Sequence, residues 1–255
     1  MNNSSLKLFI EINNYYIIFY IGVSDEKNNY KIVHKLKTGI AGINNNRITD
    51  FDVMFNLVKK NIYLVEQKVN ETFKEIILIL DNFNPSFIGL TGFKKLNSSQ
   101  VLRENITYIL NTLKSYVNRI ETKKTILHIF NSKFLLDHKK IENLPIGLFG
   151  DFYSHELSFV LINNNDLKNL KNIFSNCSLK INKILLKSFI KGALICDSEN
   201  IETFFQIELN EHNSKIYYFE NSSLKFQQSF KFGTEIIIND IVKITSLKKD
   251  TVKKI

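Results

Sequence analysis

A chain of 255 residues with 44% hydrophobic content can bury a substantial globular core, as one large domain or two small ones. No uninterrupted apolar run is long enough to cross a bilayer, and the opening MNNSSLKLF lacks the basic, apolar, small-residue order of a signal peptide, so the expectation is a cytoplasmic protein. The net charge of +9 is carried by scattered lysines amid heavy use of Asn and Ile, which describes a mildly positive solvated surface rather than a nucleic-acid-binding face.

In chain order, residues 6–22 (LKLFIEINNYYIIFYIG) are rich in β-branched and aromatic residues around an Asn-Asn centre and read as a hairpin, with a third strand at 30–37. Thr49 or Asp50 offers a helix cap. Met54, Val58, Ile62 and Val65 then recur at helical spacing over about 51–69. EIILILD, residues 75–81, is an apolar run bounded by charge, as a strand buried on both faces should be. A helix carrying Leu102, Ile106, Ile109, Leu113 and Val117 is expected to open at Ser98 or Ser99, with strands at 125–130 and 155–162 and a turn-rich loop, LPIGLFG, between them. Residues 166–177 read as a short helix, 180–186 as a strand and 187–196 as a helix. Two strands around the polar connection ELNEHNSK follow within 204–224, then a strand at 224–230 and helices at 235–243 and from Leu247 onward. Ile255 falls inside a helical pattern without a stop signal, so the chain is expected to be cut rather than finished.

The titratable residues give few catalytic patterns. Cys177 and Cys196 are far apart, without CxxC spacing, and read as ordinary buried thiols. His128 lies in an apolar strand, where a hydrogen-bonded core histidine is the commoner case. His155 and His212 have no partner at metal-ligand spacing, and no catalytic residue is assigned. The loop from Pro145 to Gly150 reads either as a contact surface or as a structural turn.

A strand, a tight polar turn and a second strand occur twice, at FIEINNYYIIFY and FQIELNEHNSKIYYF. This is similar to the way actin-like ATPases hold phosphate, and with the segments between, the sequence resembles the bacterial cell-division family FtsA. Gly42, Ile43, Ile48 and Asp50 match its glycine-hydrophobic stretch ending in Ile-x-Asp. His128, Phe134 and Asp137 match its ILH strand, with Asn131 where proline is usual. Pro145, Gly147 and Gly150 match its Asn-Pro-x-Gly-Met-x-Gly loop, with Leu144 in place of asparagine, and Gly233, Asn239, Asp240 and Ile241 match its VGG-to-NDI segment. At the phosphate positions the chain departs from the family. Glu11, Asn13, Asn14 and Tyr16 stand where Asp-x-Gly-Thr-x-Lys is expected, and Glu208, Asn210, Glu211, His212 and Asn213 stand where Asp-x-Gly-Gly-Gly-Thr is expected. Both acids persist, the turn glycines are gone, and Glu211 would repel a phosphate.

The resemblance implies an actin-like α/β fold: a first subdomain of residues 1–84 and 166–201, an FtsA-type inserted subdomain at 85–165, and the start of an incomplete second half at 202–255. It implies ATP with Mg²⁺ as cofactor, against which the residues of both turns argue, and a metal held jointly by Glu11 and Glu208, whose plainer alternative is two solvated residues at strand ends. It implies a divisome scaffold that is not an enzyme beyond a slow ATPase, links FtsZ to the inner face of the inner membrane during septum formation, recruits later division proteins and self-associates into actin-like filaments. The membrane contact would be a C-terminal amphipathic helix absent from this chain. The alternatives are an actin-like pilus-assembly adaptor resembling PilM, or a genuine ATP-dependent enzyme of the same superfold.

Overall fold

β-Branched and aromatic residues at alternate positions build the first sheet. The computed structural model describes residues 6–13, 15–25, 30–44, 46–81 and 83–254. β1 (Leu6–Ile12) and β2 (Tyr16–Ser24) form the expected hairpin, with Leu6 opposite Val23 and Ile12 opposite Ile17, and β3 (Tyr30–Gly39) continues the meander. A short ladder, β4 (Ile43–Asn44) with β5 (Arg47–Ile48), leads into α1 (Phe51–Val69). The start of α1 is fixed twice. Asp50 Oδ1 accepts the Val53 N–H at 3.0 Å as its N-cap, and the Gly42 carbonyl accepts the N–H groups of Thr49 and Asp50 at 2.8 and 3.2 Å. Gly42 holds a φ of +80°, and a Cβ there would lie 2.5 Å from the Asp50 carbonyl oxygen, so this place needs glycine. Met54, Val58, Ile62 and Val65 are buried, each contributing roughly 2 kcal/mol by leaving water. β6 (Glu75–Leu80) then pairs parallel to β1.

The middle of the chain departs from expectation. β7 (Ser86–Gln100) is a fifteen-residue strand that the sequence pattern does not announce, and it contains Ser98 and Ser99. Neither serine caps α2 (Arg103–Ile120): Ser98 Oγ donates to Asp151 Oδ1 at 2.7 Å, and Ser99 Oγ donates to the Leu96 carbonyl at 2.5 Å. β8 (Lys124–Leu136), β9 (Lys139–Ile141) and β10 (Phe149–Asn163) complete a four-stranded sheet in the order β7-β10-β8-β9, with β8 and β10 longer at both ends than foreseen. α3 (Asn164–Asn176) is capped by the Asn163 side chain; β11 (Lys180–Leu186) pairs parallel to β6, and α4 (Lys187–Glu199) follows. The first sheet therefore has the order β11-β6-β1-β2-β3. The last sheet is the antiparallel set β12 (Phe204–Leu209), β13 (Ser214–Glu220) and β14 (Ser223–Phe230), followed by α5 (Thr234–Thr245) and the single turn α6 (Lys249–Val252).

By internal contacts the chain divides into two compact units, Met1–Ser86 with Lys114–Ile129 and Val160–Lys191, and Phe87–Leu113 with Phe130–Phe159 and Gly192–Ile255. In the first, Ile10, Ile12, Phe19, Ile21, Leu78 and Leu80 join the buried face of α1 among the core residues. In the second, Leu96, Val101, Ile109, Leu136 and Tyr153 form one core cluster, bordered by Ile106, Leu113 and Ile141.

Candidate functional site

β1, β6 and β11 are neighbouring parallel strands, and their carboxyl ends are where an open α/β sheet places its ligand. Three charged side chains meet there. Lys187, the residue after β11, sets its Nζ 2.6 Å from Glu11 Oε1 and 3.6 Å from Asp81 Oδ2. Tyr20 donates its hydroxyl to Glu11 Oε2 at 3.3 Å. Glu11 is only 6% exposed, so it is not the solvated strand-end residue of the plainer reading. Burial pulls the Lys187 ammonium down, and the hydrogen bond and charge of Glu11 with the charge of Asp81 more than reverse this, holding it above the ordinary lysine value. Burial, then the Glu11 carboxylate, pushes the Tyr20 hydroxyl up.

The turn between β1 and β2 is closed on itself. Asn13 Oδ1 accepts the N–H groups of Tyr15 and Tyr16 at 2.8 and 2.9 Å, an Asx turn, so these two donors are already used within the turn. Lys37 Nζ lies 4.0 Å from the centre of the Tyr16 ring. Asn14 falls outside the described residues.

In the second unit the connection between β12 and β13 docks on the start of α5. The Asn210 and Glu211 carbonyls accept the N–H groups of Thr234 and Glu235 at 3.0 and 2.9 Å, filling two of the donors a helix N-terminus leaves free. Asn210 N–H donates to the Asn213 carbonyl at 2.9 Å, and the two Asn side chains join at 2.9 Å. His212 Nδ1 meets Glu235 Oε2 at 2.5 Å, and Lys253 Nζ donates to Glu211 Oε1 at 2.6 Å. That Lys253 hydrogen bond holds the Glu211 carboxyl below its ordinary value. Gly233 makes the approach possible, because a Cβ there would lie 2.1 Å from the Asn210 carbonyl oxygen. Glu208 accepts the Tyr217 hydroxyl at 3.1 Å. Glu11 and Glu208 thus belong to different units, and each carboxylate has protein partners of its own.

Pro145 to Leu148 form a turn closed by Leu148 N–H on the Pro145 carbonyl, with Gly147 at φ +86°. Val101 exchanges both backbone hydrogen bonds with this turn, its carbonyl accepting from Gly147 and its N–H donating to Leu148. Asp137 Oδ1 accepts from Asp151 and Phe152, and a Cβ on Gly150 would lie 2.6 Å from Leu136 Cδ1. His128 is half-buried on β8 beside the Phe189 ring. Asn239 and Asp240 are exposed on α5. His155 is buried, with Nε2 3.1 Å from Asn131 Oδ1, and burial holds its pKa down at about 4. Both cysteines are free and only half-buried, so neither is a core thiol, and burial still pushes Cys177 up.

These residues do not fit Mg²⁺ with a nucleotide. An ammonium occupies the acid at the first turn, the Tyr15 and Tyr16 N–H groups are spent on Asn13, and the Thr234 and Glu235 N–H groups at the start of α5 are spent on the second turn's carbonyls. Among the described residues no group of three His, Cys, Asp or Glu side chains comes together as a metal set. Sequence reasoning missed Lys187 and Asp81. The usable signal was positional, since each is the charged residue that directly follows a parallel strand ending in a buried leucine.

Compared with known proteins, the chain is 20% identical over 240 residues to the cell division protein FtsA of Buchnera aphidicola subsp. Schizaphis graminum, covering 94% of this chain and 57% of that one. It is 21% identical over 202 residues to the FtsA of Buchnera aphidicola subsp. Baizongia pistaciae, covering 78% and 47%. The chain thus spans about half the length of these curated relatives. No protein-family model matches. Among solved structures, the PilM–PilN type IV pilus biogenesis complex superimposes with a TM-score of 0.62 at 7% identity, over 98% of this chain and 69% of that one, which bears on the fold alone. Among the described residues no helix is long and apolar enough to cross a membrane. Sequence similarity to two FtsA proteins and a shared fold together identify a divergent, FtsA-like chain of the actin-like α/β class.

Proposed function

We propose that the chain serves as a non-catalytic scaffold of the cell-division machinery. It would tie FtsZ filaments to the inner face of the inner membrane and recruit later division proteins through residues 85–165. Self-association by actin-like stacking belongs to the same reading, and its mechanism is binding and assembly. The observation that carries it is sequence similarity to FtsA along 94% of the chain. The Lys187–Glu11 pair supports the absence of ATP turnover, because a protein ammonium stands on the acid that a nucleotide-bound cation would need.

The experiment is capture of the protein from its native cells with an antibody against this chain, followed by identification of what co-purifies. Recovery of FtsZ is expected. Recovery of type IV pilus components without FtsZ would overturn the division reading in favour of a pilus-assembly adaptor.

A further inference from the structure

Glu11 and Asp81 lie at the ends of adjacent parallel strands, and two carboxylates so placed need a cation. Lys187 supplies one, 2.6 Å from Glu11 and 3.6 Å from Asp81. The ammonium is not a casual surface contact. The Glu11 side chain is 7% exposed and the Asp81 side chain 15%, while Lys187 itself retains 24%. Its partner's second oxygen accepts the Tyr20 hydroxyl, so both oxygens of Glu11 are engaged by protein.

We propose that Lys187 is a built-in counter-ion standing where a divalent cation would sit, and that it excludes such a cation from this cluster. The charges make the two occupancies exclusive. A Mg²⁺ bound to Glu11 Oε1 would lie about 2.1 Å from that oxygen. The same oxygen already holds the ammonium at 2.6 Å, which puts a single and a double positive charge side by side in a place with little water to screen them. Removing the lysine charge takes from Glu11 and Asp81 the ammonium they share and turns the cluster into a cation site.

Tyr20 provides the readout, because its ring is hydrogen-bonded to the carboxylate in question and can sensitise terbium luminescence. The unmodified chain is expected to show no saturable Tb³⁺ emission that Mg²⁺ or Ca²⁺ displaces. Lys187→Met is expected to gain such emission, with Tb³⁺ affinity raised at least about tenfold, the scale of one lost competing charge at partial exposure. Lys187→Arg, which keeps the charge, and Glu11→Gln/Lys187→Met, which removes the pair, should both stay dark. Circular dichroism guards against misfolding, and a Lys187→Met chain that folds only when Ca²⁺ or Mg²⁺ is added supports the proposal. Three results overturn it: displaceable emission from the unmodified chain that Glu11→Gln abolishes, equal gain by Lys187→Arg, or a Lys187→Met chain that gains no cation binding or remains unfolded whatever cation is added.

Discussion

Glu11 and Lys187 are separated by 176 positions and act as one unit, so neither should be removable alone. Glu11→Gln should lower unfolding stability by about 2–4 kcal/mol, because it leaves a half-buried ammonium with only the more distant Asp81. The double change Glu11→Gln/Lys187→Met should cost less than Glu11→Gln alone, and urea denaturation of the two variants checks the sign. The pair also fixes a pH window. Lys187 is held above its ordinary value of 10.5, so its contribution is complete below that pH and is lost as pH rises past it toward the folded-state value. His155 acts at the other end, since burial depresses it from 6.5 to about 4. Stability present above pH 6.5 should fall by roughly 2–3 kcal/mol as the pH drops to about 4. His155→Phe should flatten that fall in an acid titration followed by circular dichroism. Glu11 was legible as a strand-end acid, while its neutralising partner was not. Pairing across 176 positions leaves no periodicity to read.

At the scale of elements, what the sequence displayed was periodicity and caps. α1 follows from Met54, Val58, Ile62 and Val65 with Asp50 before them, and all five do as their types predict. β7 was hidden because Gly89, Gly92 and the adjoining Lys94 and Lys95 blur its alternation. Gly92 shows why. A Cβ there would lie 2.5 Å from Ile109 Cγ2, so the residue answers to a helix packed against the strand, a demand absent from the local pattern. Gly233 is the same kind of case, legible as a family glycine but understood only with the Asn210 carbonyl beside it. Gly233→Val should therefore separate the β12–β13 turn from α5, costing roughly 2 kcal/mol or more through overpacking against backbone. Hydrogen exchange at Thr234 and Glu235, which donate to that turn, should accelerate in the variant, whereas exchange in α1 should not change.

The whole molecule leaves apolar side chains uncovered in its second unit. Phe205, Ile207 and Leu209 alternate along the outward face of β12, each more than 60% exposed, and α5 exposes Ile236, Ile237 and Ile244. β12 is an edge strand, and an apolar edge favours unwanted pairing. Light scattering of the isolated 255-residue chain should show association that grows with concentration, and Ile207→Lys should reduce it without changing the unfolding free energy, read from urea denaturation, by more than about 0.5 kcal/mol. Net charge of +9 works against this tendency but cannot mask a stripe three residues long on one strand.

The strand order β11-β6-β1 has a consequence for the nascent chain. β6 finds its first neighbour, β1, already synthesised, but its second neighbour, β11, emerges roughly 100 residues later. At translation speeds of about 5–20 residues per second, β6 waits on the order of 5–20 s with one row of backbone donors and acceptors unpaired. β12, β13 and β14 meet neighbours made within seconds of themselves. The final sheet can therefore assemble as it leaves the ribosome, while the first depends on a segment not yet translated, and EIILIL is the stretch that a holding chaperone has most reason to grip during synthesis.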